Sequence, residues 1–253
     1  MPGGGVSIEV VGDATALAAR GADLFALLAQ EAAAARGAFV AALSGGETPR
    51  ALYTLLARQQ FAQKVPWRRV HLYWGDERCV PPDDERSNYR MAHEAFIRHV
   101  PSPAENVVRM RGEDEPDDAA RAYERLLSQP PARARSSTAD LPVIDLLFLG
   151  LGSDGHTASL FPHSPALAVE DRLVVPNHGE GTGRRLTVTY PVINAARRVV
   201  FVVSGAAKAG MVAEVLEGLR APDAVPAQAV APVHGTVTWL LDEAAASELS
   251  PRG

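Results

Sequence analysis

The run DLLFLGLGSDGHTASLFP, residues 145–162, decides how this chain folds. Its apolar half extends a run that begins at residue 143 and stops at Gly150. That is short for a helix and closed by a turn residue, so it reads as a strand feeding a glycine-bracketed loop. Working outward, similar short apolar runs fall at residues 7–11, 39–43, 70–74, 173–175, 186–189, 199–203 and 238–241. Helical patterns lie between them at 14–35, 49–58, 89–99, 119–127 and 207–216. The alternation predicts an α/β fold, an open and largely parallel sheet flanked by helices. Asp13, Thr48 with Pro49, and Ser87 supply the start signals of the first three helices.

The 253 residues suit one α/β domain spanning 1–253, with an ordinary globular composition of 47% apolar and 22% charged residues. The stretch PPARARSSTAD, 130–140, has no apolar period and predicts a mobile internal loop, because chemistry-bearing segments lie on both sides of it. With 30 acidic against 25 basic residues and no basic block, nucleic acid is not an expected partner. One cysteine, Cys79, excludes an internal disulfide, and the start MPGGGVSIEVV lacks an export pattern, so a cytoplasmic location is expected. Arg20, Asp23, Gln30 and Glu31 interrupt the Ala-rich first helix, short of the roughly 20 apolar residues a bilayer requires, so no membrane association is expected.

In open α/β sheets, ligands bind beyond the carboxyl ends of the strands. Four predicted strands run into chemically loaded segments there: Ser44 to Pro49, Gly75 to Arg78, Gly150 to His156, and Ser204 to Lys208. The first, SGGETP, is either a tight strand-to-helix turn or an anion cradle of glycine N–H groups at a helix N-terminus. Lys208 falls in the first turn of a helix, where the macrodipole disfavours a cation unless an anion is bound.

Residues 150–155 match G-x-G-x-x-G after a strand, the spacing of a dinucleotide fingerprint. The residues after it argue otherwise: HTASLFP carries a histidine and a proline where an uninterrupted helix should run, and Glu170 and Asp171 precede the next strand instead of ending it. His156 is the side chain best suited to proton transfer near neutrality, and Asp154, two residues away, either orients it or closes an Asx turn. No metal-ligand spacing appears, so no metal is expected. Cys79 beside Arg78 is read as a half-buried small residue rather than a nucleophile.

Five segments carry a wider likeness: LSGGETPRALYTLL, WGDERCVPPDDERSNYRMAHEAF, DLLFLGLGSDGHTASLFP, RLTVTYPVINAARRVVFVVSGAAK and PAQAVAP before the last strand. Together they resemble the 6-phosphogluconolactonase family, within the fold group of glucosamine-6-phosphate deaminases and ribose-5-phosphate isomerases. The resemblance implies a modified Rossmann-type fold of the sugar-phosphate isomerase and deaminase kind. It also implies hydrolysis of 6-phosphogluconolactone in the oxidative pentose phosphate pathway without metal or cofactor. Apart from the resemblance, the sequence does not fix the oligomeric state, and a monomer is the favoured expectation. His156 would be the general base, Arg78 would stabilise substrate oxygens, and Asp154 would position His156 or a sugar hydroxyl. The phosphate would rest on Ser44, Gly45, Gly46 and Thr48, with Lys208 and Arg184 as cations and Arg185 the neighbouring alternative. Asp76 and Asn88 would shape the site. Glu47 stands where the family commonly has a small hydroxyl residue, and it is left out of the site.

The related deaminase pattern places a glutamate five residues after the histidine. Here that position is Phe161, which disfavours the deaminase reaction. A non-catalytic sugar-phosphate sensor would have no need of His156 together with Arg78 and Lys208.

Overall fold

A computed structural model describes residues 5–132, 141–179 and 181–251. Most of the loop expected at 130–140 therefore lies outside the described residues. The chain runs β1 (Val6–Val11), α1 (Ala14–Arg36), β2 (Phe39–Leu43), α2 (Glu47–Leu56), α3 (Gln59–Ala62), β3 (Val70–Trp74), β4 (Asp76–Arg78) and α4 (Asn88–Ala95). It continues with α5 (Pro116–Leu127), β5 (Leu146–Leu149), β6 (Val174–Gly179), β7 (Gly183–Val188), α6 (Tyr190–Ala195), β8 (Arg198–Val203), α7 (Ala209–Glu217) and β9 (Thr236–Asp242).

Six strands form one sheet in the order β1-β9-β8-β5-β2-β3, every neighbouring pair parallel. Strand periodicity divides its side chains between two cores. Phe39, Ala41 and Leu43 of β2, Leu146 and Phe148 of β5, and Val200 and Val202 of β8 pack with Leu17 and Phe25 of α1 and Leu52 and Tyr53 of α2. Val40, Ala42, Leu147, Leu149, Val199, Phe201 and Val203 point the other way, onto Tyr123 of α5 and Val212 of α7. Burying each large apolar side chain contributes roughly 1.5–3 kcal/mol, so a register slip in any central strand would be strongly selected against.

Asp13 caps α1 by accepting the Ala16 N–H at 2.8 Å, and Ser87 caps α4 by accepting the Arg90 N–H at 3.1 Å. The start of α2 differs from the sequence expectation. Its cap is Gly46, at φ 108° and with no side-chain cap bond, which places Thr48 inside the first turn.

The runs at 173–175 and 186–189 were expected in the main sheet, but they belong to a second, three-stranded sheet in the order β4-β7-β6. Its pairs are antiparallel. Only residues 180–182 connect β6 to β7. A parallel pairing needs a crossover of roughly a dozen residues, so the short glycine-containing connection dictates a hairpin. Gly75 joins the two sheets: its N–H donates to Leu43 O at 2.9 Å and its carbonyl accepts from Val188 N at 2.9 Å. Among the described residues, no helix is long and apolar enough to cross a membrane.

Candidate active site

All four strand-end segments meet at one cleft of about 310 Å³. Ser44, Gly45 and Gly46 arrive from β2, Asp76 and Arg78 from β4, Gly150 to Gly152 and His156 from β5, and Lys208 from the turn after β8. Asn88 at the start of α4, Ser159 beyond the histidine loop, Thr182 before β7 and Arg185 on β7 add further polar groups to the lining.

The His156 loop is a closed turn. The Gly152 N–H donates to His156 O at 2.8 Å, the Gly155 N–H to Gly152 O at 3.2 Å, and the Thr157 hydroxyl to Gly150 O at 3.0 Å. Gly155 turns the chain at φ +81°, a conformation that favours glycine. His156 Nδ1 lies 2.6 Å from Asp154 Oδ1, which also accepts the His156 backbone N–H at 3.2 Å. Burial pushes the Asp154 carboxyl up, but the charge and hydrogen bonds of His156 pull harder and hold it below its ordinary value. An ionised carboxylate only accepts, so Nδ1 supplies the proton of this contact. Asp154 is not among the residues lining the cleft; the imidazole it contacts is. Phe161 packs against that ring at a centroid distance of 4.8 Å.

Beyond His156 the chain is pinned tightly enough to hold Ala158 at φ 49°, a strained conformation costing about 1–3 kcal/mol. The Ser159 N–H donates to Thr187 Oγ1 at 3.2 Å, its hydroxyl to Asp76 Oδ2 at 2.7 Å, and its carbonyl accepts Asn177 Nδ2 at 2.7 Å. Asp76 in turn accepts from Asn88 Nδ2, at 2.9 Å on its carbonyl and 3.2 Å on Oδ1. Ser159, Asp76 and Asn88 thus tie the histidine loop to the D-E-R strand and to α4.

Glu77, 2% exposed, holds the same corner from behind. It accepts the backbone N–H groups of Arg78, Asn88 and Tyr89 at 2.7–2.8 Å and the Ser87 hydroxyl at 3.0 Å. Burial pushes its pKa up, against the pull of those N–H groups. Glu77→Gln turns an amide NH₂ toward N–H donors. We expect a loss of about 1–3 kcal/mol of stability, measured as a lower denaturation midpoint; an unchanged midpoint would show that the corner holds without it.

Gly45, arriving from β2, lies so close to Asn88 that a Cβ there would sit 1.8 Å from Asn88 Oδ1. Tyr53 accepts the Ser44 N–H at 3.0 Å and donates to Ser44 O at 3.1 Å, so that amide is already occupied. The free groups are Ser44 Oγ and Asn88 Oδ1, both buried without a hydrogen-bond partner. Two buried, unpaired polar atoms in one cleft wall point to a ligand that supplies their partners.

The cations divide by strand parity. Arg185 pairs with Arg78 across β4 and β7, and both line the cleft. Burial, then the adjacent charge of Arg78, pull the Arg185 guanidinium below its ordinary value. An anion between the two would relieve that cost. Arg184, the expected cation, projects from the other side of β7, lies outside this cleft, and comes within 3.9 Å of Glu115. Thr48 is likewise outside the lining, and Glu47 pairs with Arg50 at 3.6 Å with its side chain 87% exposed. Cys79 is also off the cleft, and burial pushes its thiol up despite Arg184 and Arg185. Among the described residues, no three His, Cys, Asp or Glu side chains gather as metal ligands.

The sequence reading passed over Ser159, Thr182 and the packing role of Phe161. Ser159 and Phe161 lie three and five residues past the histidine, within a segment that carries the family likeness, whereas Thr182 lies outside those segments.

Comparison with known proteins gives a consistent picture. The family model for glucosamine-6-phosphate isomerases/6-phosphogluconolactonase matches residues 12–239. A 6-phosphogluconolactonase of Nostoc sp. is 43% identical over 245 residues, covering 96% of this chain and 98% of the relative. The solved 6-phosphogluconolactonase of Trypanosoma brucei superposes with a TM-score of 0.86 at 28% identity, covering 98% of this chain and 100% of that one. A monomeric glucosamine-6-phosphate deaminase superposes with a TM-score of 0.79 at 22% identity, covering 96% and 99%, a likeness of fold alone.

Proposed function

The chain belongs to the glucosamine-6-phosphate isomerase/6-phosphogluconolactonase family, and from that premise we propose that it hydrolyses 6-phosphogluconolactone to 6-phosphogluconate, the lactonase step of the oxidative pentose phosphate pathway. The observation that carries this reading is a histidine oriented through Nδ1 by an ionised aspartate, on the wall of a cleft that also holds three cations.

His156 Nε2 takes a proton from water as its oxygen attacks the C1 carbonyl carbon. The carbonyl π electrons move onto oxygen, and Arg78 stabilises the resulting oxyanion. Collapse of the tetrahedral intermediate breaks the bond from C1 to the ring oxygen. The imidazolium returns its proton to that departing oxygen, leaving a carboxylic acid that ionises at neutral pH. Asp154 keeps Nδ1 protonated throughout and stabilises the transient imidazolium. The 6-phosphate is assigned to Lys208, Arg185, Gly45, Gly46 and the Ser44 hydroxyl.

Freshly generated lactone, followed by continuous acid release, tests the activity directly. Wild type should exceed spontaneous hydrolysis by orders of magnitude. No acceleration, together with ammonia release from glucosamine 6-phosphate, would assign the deaminase reaction instead. Within the same assay, Arg185→Ala should raise KM about tenfold or more, the worth of a charge-assisted hydrogen bond. Arg184→Ala should leave KM near wild type, and the reverse order would return the phosphate to Arg184.

A further inference from the structure

Lys208 reaches the cleft from a segment with few anchors of its own. Ala206 and Ala207 are exposed, the single 3₁₀ turn Ala206–Lys208 has no side-chain cap, and Lys208 itself caps α7 without a side-chain bond. The turn depends on Gly205, held at φ +94°, whose carbonyl accepts the Lys208 N–H at 3.0 Å. What holds Gly205 is Asp242, the last residue of β9. Its Oδ1 and Oδ2 accept the Gly205 N–H at 3.0 and 3.1 Å, Oδ2 also accepts the Ser204 hydroxyl, and Oδ1 accepts the Ala245 N–H at 2.7 Å.

Asp242 is 4% exposed and lies outside the cleft lining. A buried carboxylate is a costly way to close a turn unless donors surround it, and here three groups do. Burial raises its pKa, but the Ser204 hydroxyl and the N–H groups outweigh burial and keep it ionised. Because β8 and β9 run parallel with Val203 opposite Leu241, the strand ends bring Asp242 beside the Ser204-Gly205 turn. The carboxylate therefore fixes the exit direction of the chain that carries the lysine.

We propose that Asp242 is the positioning residue for Lys208: by locking the Ser204-Gly205 turn, it sets the ammonium at the phosphate end of the cleft. This rests on the reading of Lys208 as a phosphate ligand. It predicts an effect on binding that passes through Lys208 and leaves the chemistry at His156 intact.

A double-mutant cycle separates the two claims. Binding of 6-phosphogluconate would be titrated calorimetrically to wild type, Asp242→Asn, Lys208→Ala and the double variant, with KM and kcat for the lactone measured in parallel. Asp242→Asn should raise Kd and KM about tenfold with kcat within a few-fold of wild type. Lys208→Ala should raise them at least as much, and the double variant should bind no worse than Lys208→Ala. Equal weakening by Asp242→Asn with and without Lys208 would overturn the proposal and leave Asp242 a general stabiliser. A weakened Lys208→Ala beside an unaffected Asp242→Asn would overturn it while sparing the phosphate role of Lys208. An unchanged Kd in Lys208→Ala alone would remove both. Should Asp242→Asn fail to fold, Ser204→Ala deletes only the hydroxyl contact and should show the same dependence on Lys208 at smaller amplitude; a Ser204→Ala effect that persists without Lys208 would count against the proposal.

Discussion

His156→Ala should lower the enzyme-catalysed rate of 6-phosphogluconolactone hydrolysis by about 10²–10⁴-fold, the range that a positioned general base contributes. The folded state and the affinity for 6-phosphogluconate should survive, because the imidazole is 31% exposed and its ring supports little besides Phe161. A companion variant isolates the role of Asp154. In Asp154→Ala, nothing accepts the Nδ1 proton, so the imidazole loses its fixed tautomer and the charge that would stabilise its cation. Its rate should fall nearly as far as that of His156→Ala with KM unchanged. Acid-release kinetics against the spontaneous background checks both. His156→Ala within a few-fold of wild type would mean that another group takes the proton, and a mild Asp154→Ala would mean that the base does not depend on the aspartate.

The sequence carried β2, β5 and β8 because each is a short apolar run closed by a turn residue, and burial on both faces enforces that pattern, whereas the partly exposed edge strand β1 shows an alternation of apolar and polar residues. It was silent on β4, where Asp76, Glu77 and Arg78 show no apolar alternation and become a strand only by pairing with β7. β6 extends through Pro176, Asn177 and Gly179, residues disfavoured in strands, because its hairpin partner and Asn177's bond to Ser159 O hold it extended. The choice between Arg184 and Arg185 shows the same limit at the scale of one residue. Side chains alternate faces along a strand, so which arginine reaches the cleft depends on the register that sets Arg185 opposite Arg78, a tertiary fact. The convergence of Ser44, Arg78, His156 and Lys208 was legible earlier, since a parallel sheet places all carboxyl ends of its strands on one edge. Glu77 and Asp242 stayed hidden because they act from behind, through the backbone amides and hydroxyls of neighbouring turns.

Gly152→Ala is expected to cost about 10²-fold in rate, what a displacement near 1 Å in a catalytic group is worth, although it deletes no functional side chain. A Cβ at residue 152 would lie 2.1 Å from His156 Nδ1, 2.4 Å from Cε1 and 2.5 Å from Asp154 Oδ1, distances at which something must move. The backbone has little room to yield. Gly152 and His156 are tied by a 2.8 Å hydrogen bond, and the turn at Gly155 packs against Val225, 2.9 Å from where a Cβ on Gly155 would sit. The imidazole and the carboxylate are the softer parts, since both are partly exposed. They should part, and with their 2.6 Å contact goes the orientation of Nε2. Product binding should change little, because the residues assigned to the phosphate lie on other strand ends. Nitrogen-15 spectroscopy of the histidines supplies a readout independent of rate: wild type should show the His156 proton on Nδ1, and Gly152→Ala a mixture of tautomers. If the variant keeps both the Nδ1 proton and the wild-type rate, the first G-x-G of this chain is only a turn device, and the contact between Asp154 and His156 is not what sets the base.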